Sequence, residues 1–74
     1  MTDAKRNALR WLACHNGDGC FMRSGVLLAA GESAPVVRGT WNALAKLGYV
    51  ELYKPARGHG RCKLTDSGRQ EAQR

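Results

Sequence analysis

At 74 residues, 43 % hydrophobic and 24 % charged, the chain has the composition of one globular domain with a single core, which excludes a disordered chain and a large catalytic cleft ringed by loops. No apolar run approaches the ~20 residues of a membrane span, and Met1–Arg6 lacks the apolar stretch of a signal peptide, so a cytoplasmic protein is expected. The net charge of +6 gathers in residues 33–65, where six basic side chains face Glu51 alone, a distribution that suits a polyanionic partner.

Asp3 is the expected N-cap of a first helix over about 3–15, in which Ala4, Ala8, Leu9, Trp11 and Leu12 recur at helical spacing. Asn16-Gly17-Asp18-Gly19 should stop it, because Asn and Gly accept the left-handed conformation of a helix end. Cys20-Phe21-Met22 is long enough only for a short strand. Ser24 then caps a short buried helix over 25–30, with Gly31 as its stop. Ser33 caps the next helix, with Pro35 in its first turn, where the missing N–H costs nothing. This helix should run to about Leu47 and end at Gly48, with Val37, Trp41 and Leu44 on its core face.

Tyr49–Lys54 has the β-branched and aromatic bias of a strand, and Arg61–Thr65 alternates basic and apolar residues as a half-buried strand does. Pro55–Gly60 between them is a turn rich in glycine. Thr65 can cap a last short helix from Asp66 to about Ala72, weakened by Gly68.

Residues 24–48, two helices with Gly31 at the turn, have the pattern of a helix-turn-helix. Leu44-Ala45-Lys46-Leu47-Gly48-Tyr49-Val50-Glu51 and Arg61-Cys62-Lys63-Leu64-Thr65-Asp66-Ser67-Gly68-Arg69 follow in order, separated by a wing-length gap. Together these stretches resemble the winged-helix transcription-factor superfamily, most of all its multiple-antibiotic-resistance-regulator type, over residues 20–69. The resemblance implies an α+β fold: a small winged helix-turn-helix of three helices and a short three-stranded antiparallel sheet, one domain over 1–74. Its helix-turn-helix would occupy about 24–48 and its wing about 49–65. Glu32 departs from the family pattern, which usually places an apolar plug just after the turn glycine. Only about nine residues follow Thr65, too few for the long terminal helices through which such proteins dimerise, so a monomer in free solution is expected.

In a helix-turn-helix the second helix enters the major groove. Its outward face would carry Pro35, Gly39, Asn42 and Lys46, with Arg38 beside them and the capping Ser33 as a further DNA-binding candidate; Asn42 has the bidentate geometry for adenine, Arg38 for guanine, and Lys46 suits phosphate. Gly39 offers no reading group, and an ordinary solvated face would look the same. The wing carries Lys54, Arg57, Arg61 and Lys63 with no acid between them, and His59 adds a donor. By the resemblance, Arg57 is the tip residue that would follow phosphates or enter a minor groove. A charged hairpin can also merely protect a sheet edge.

Cys14, Cys20 and Cys62 are an odd count with no secretory context, which argues against a disulfide framework. Only His59 and Cys62 have metal-ligand spacing, so neither a metal nor another cofactor is expected. Cys20 and Cys62 should lie near one another across the sheet. Hydrolase and phosphate-loop motifs are missing and the six acids are scattered, which points away from catalysis. Double-stranded DNA is therefore the expected partner, in transcriptional regulation or as a phage or mobile-element accessory factor, the latter by analogy of size. The alternative is a winged-helix module that binds or inhibits a host protein.

Overall fold

The structure, a computed structural model, describes residues 2–55 and 60–74. It is α+β: α1 (Asp3–Cys14), β1 (Asp18–Phe21), β2 (Leu27–Ala29), β3 (Glu32–Ser33), α2 (Arg38–Lys46), β4 (Val50–Tyr53), β5 (Arg61–Leu64) and α3 (Asp66–Ala72). The strands form one antiparallel sheet in the order β3-β2-β1-β5-β4. Five strands thus stand where three were expected.

The difference arises at residues 25–33. No helix forms there. Ala30 and Gly31 both take positive φ, 51° and 80°, the backbone of a two-residue hairpin turn, and Ala29 pairs directly with Glu32. Val26-Leu27-Leu28-Ala29 is a short apolar run that suits a buried strand as well as a helix, and pairing with β1 decides it: Cys20 faces Leu28 and Phe21 faces Leu27.

The hairpin also removes Ser33 from its expected role. Ser33 is paired with Leu28, and Ala34 N–H extends the ladder by donating to the Leu27 carbonyl at 2.8 Å. The helix begins five residues later, at Arg38, with Val37 as an N-cap that makes no side-chain bond. Val37 is 72 % exposed instead of facing the core. Trp41 and Leu44 do face it, both fully buried.

Elsewhere the local signals hold, except at the first N-cap. Thr2 rather than Asp3 caps α1, its Oγ1 accepting from Lys5 N–H at 3.3 Å, and Asp3 sits in the first turn. Asn16 and Gly17 end the helix with positive φ, and Gly17 N–H donates to the Leu12 carbonyl at 2.8 Å. Thr65 caps α3 by accepting from Gly68 N–H at 3.0 Å.

One core joins all elements but β3: Ala8, Leu9 and Leu12 of α1, Trp41 and Leu44 of α2 and Ala72 of α3 meet Phe21, Leu27, Ala29, Val50, Cys62 and Leu64 of the sheet. Because strand side chains alternate, Asp18, Cys20, Glu51, Tyr53, Arg61 and Lys63 share the opposite face. Cys20 and Cys62 lie on neighbouring strands as expected, yet on opposite faces of them: Cys62 is opposite Gly19, and Cys20 opposite Arg61. Burial pushes the Cys62 thiol up to about 12, with the Asp18 charge adding to the shift, so it stays protonated and inert. Among the described residues no helix is long and apolar enough to cross a membrane.

Candidate nucleic-acid interface

An open groove of about 510 Å³ lies where β1 and β4 end and β5 begins, beside the start of α2. Phe21, Leu52 and Tyr53 supply its apolar part; Arg23, Arg38, Lys54 and Arg61 supply its charge. Phe21 N–H donates to the Gly60 carbonyl at 2.8 Å, so the sheet ladder runs up to the groove and makes its floor rigid. The Arg38 guanidinium covers the Phe21 ring, 4.4 Å from its centroid, a cation–π contact that holds this cation in place without neutralising it.

Arg23 reaches the groove from the turn after β1. That turn is closed by Met22 N–H donating to the Val26 carbonyl at 2.8 Å and Gly25 N–H donating to the Met22 carbonyl at 2.9 Å. Neither Arg23 nor Met22 stood out as a site residue in the sequence. Met-Arg-Ser-Gly between two apolar runs is turn chemistry with an exposed cation, and that was the available signal.

The expected site residues fall into four sets. Arg38, Asn42 and Lys46 are exposed along one stripe of α2, spaced by one helical turn each, and Arg38 joins this stripe to the groove with Lys54. Arg61 and Lys63 are on the hairpin, but each has an acid from a neighbouring strand. Arg61 Nε donates to the Tyr53 hydroxyl at 3.1 Å and its Nη2 lies 3.4 Å from Asp18, while the Tyr53 hydroxyl donates to the same carboxylate at 3.0 Å. Lys63 Nζ sits 3.1 Å from Glu51, directly across the β4–β5 ladder, and that hydrogen bond and charge raise its pKa. The stretch Lys54–Lys63, acid-free in the linear sequence, is therefore partly neutralised by Asp18 and Glu51. Ser33 lies on β3 and does not line the groove. Arg57 and His59 lie outside the described residues.

Among the described residues no carboxylate pairs with Arg23, Arg38, Lys46 or Lys54. Among the described residues no acid lines the groove. Glu32, the departure from the family pattern, pairs elsewhere: its carboxylate lies 2.9 Å from His15 Nε2, whose Nδ1 donates to the Trp11 carbonyl at 2.6 Å. Both ring nitrogens face acceptors, so the imidazolium is favoured. The Trp11 carbonyl first and Glu32 second raise the His15 pKa above 6.5. No three His, Cys, Asp or Glu side chains gather as a metal site would need, among the described residues.

No family model, curated protein or solved structure matches the chain.

Proposed function

We propose that the chain is a small double-stranded DNA-binding protein, a transcriptional regulator or accessory factor rather than an enzyme, which grips the duplex with the groove and the exposed stripe of α2. One observation carries this reading. Arg23, Arg38 and Lys54 come from three separate stretches of chain, meet around one groove, and have no carboxylate in its lining. Like charges brought together repel, and a ligand with regularly spaced negative charge is what would relieve them. Asn42 and Lys46 continue the same surface along α2, so the footprint suits an extended polyanion better than a single small anion. The β4–β5 hairpin stands beside the start of α2 as a wing would, although residues 25–33 form a β-hairpin and not the first helix of a helix-turn-helix.

Arg23, Arg38, Lys46 and Lys54, which have no carboxylate partner among the described residues, give an expected log–log salt slope of roughly −4 for binding to mixed-sequence duplex. Fluorescence anisotropy with a labelled duplex measures it. No binding even at about 50 mM salt would overturn the reading.

A second reading has its own support. Val37 at 72 % and Leu47 at 52 % exposure leave apolar side chains at both ends of α2, beside Gly39, which reads nothing. That surface suits a winged-helix-like module docking on a protein, and this reading takes over if duplex binding fails.

A further inference from the structure

Met22 stands 48 % exposed on the groove among the cations, although its neighbour Phe21 is buried. Strand alternation turns it out of the core. It is not a loose side chain on a loose loop, since the two backbone hydrogen bonds of its turn hold both its N–H and its carbonyl. The chain thus presents an apolar, unbranched side chain from a fixed backbone, flanked by Arg23, Arg38 and Lys54. A site built only to hold phosphates has no use for it. Exposed to water it gains nothing, whereas against the face of a base pair its flexible thioether can fill an irregular gap.

We propose that Met22 is a wedge that enters a base step of the bound duplex and kinks it, while Arg23, Arg38 and Lys54 hold the flanking phosphates. This rests on the duplex-binding reading above. Opening a step costs stacking, which phosphate contacts on either side offset, and kinks made this way are roughly 20–90°. Pyrimidine–purine steps such as TA and CA/TG open most easily, so the protein selects sites by deformability at the step that Met22 enters. That agrees with an α2 surface carrying few base-reading groups: Arg38 and Asn42 next to Gly39 and Val37.

The test is energy transfer between the two ends of a short labelled duplex with one central TA step, with 2-aminopurine beside the step to report unstacking. Wild-type protein should shorten the end-to-end distance and raise 2-aminopurine emission. Met22→Ala should bind with the same salt slope but leave the duplex straight, and Met22→Leu should restore the kink. If wild type binds a straight duplex, or Met22→Ala bends it equally, the wedge is wrong and duplex binding stands. If wild type binds no duplex at about 50 mM salt, both fall.

Discussion

The two ends of the molecule use their basic residues in opposite ways. At the end where α1, α3 and the start of β4 meet, Arg6 and Arg10 are engaged within the chain. Arg6 lies 3.1 Å from Glu71, and Arg10 donates to the carbonyls of Ala72, at 3.0 Å, and Arg74. Thr65 ties the same junction: its Oγ1 donates to the Gly48 carbonyl at 2.7 Å and its N–H to the Tyr49 carbonyl at 3.2 Å. At the groove end, Arg23, Arg38 and Lys54 have no such carboxylate partner among the described residues. One set of cations holds the fold, and the other is available to a ligand. A net charge of +6 does not distinguish them; the position of each acid does.

The largest effects should come from the packed side of this comparison. Trp41 is fully buried in the core, and Trp41→Ala should cost about 3–5 kcal/mol, enough to unfold much of so small a domain. Gly68→Ala is the sharper probe, because a Cβ there would fall on the Tyr49 carbonyl oxygen, which is backbone and cannot swing aside. Overpacking of this kind costs roughly 1–3 kcal/mol or more. Thermal denaturation followed by circular dichroism measures both, and a Gly68→Ala protein with the wild-type melting temperature would mean that α3 does not pack tightly against the Tyr49 backbone.

The next effect separates the two ends. Replacing Arg23 and Lys54 together with Ala should flatten the salt slope of duplex binding by about two, since each lost phosphate contact releases about one counterion fewer. Stability should stay within about 0.5 kcal/mol, because neither side chain is buried. Arg38→Ala is a poorer choice, since it also uncovers Phe21. A double variant that binds normally and melts normally would remove the groove from the function altogether.

The smallest effect concerns His15, which links the end of α1 to Glu32 on the β2–β3 hairpin. Its pKa is raised in the folded state, so its contribution to stability is fully present below the unfolded value of about 6.5 and is lost as pH rises through the folded pKa. Glu32→Gln should lower the His15 pKa seen by NMR titration. The stability gap between wild type and Glu32→Gln should then be widest in mild acid and close as pH rises above the folded pKa. A gap that widens with pH would show that Glu32 acts through something other than the imidazolium.

The chain by itself determined those elements whose signals are local. The apolar spacing of Ala8, Leu9 and Leu12, the Asn16-Gly17 stop, the alternation in Arg61–Leu64 and the Thr65 cap depend on residues a few positions apart, and each is realised in the fold. Gly68 read as a weakness of the last helix; its reason, close contact with the Tyr49 carbonyl, is tertiary. Tertiary structure alone decided residues 25–33. There a run of four apolar residues suits helix or strand, a turn places Ala30 at a positive φ that Ala seldom adopts, and pairing with β1 outweighs local preference. It also decided which cations have acid partners. Asp18 reaches Arg61 across 43 positions of chain because β1 pairs with β5, whereas Arg23, Arg38 and Lys54 meet at strand and helix ends where no strand brings a carboxylate. Local pattern depends on neighbours in sequence, and charge compensation depends on neighbours in space, which the sheet register supplies for Arg61 and Lys63 and the packing of α1 on α3 supplies for Arg6.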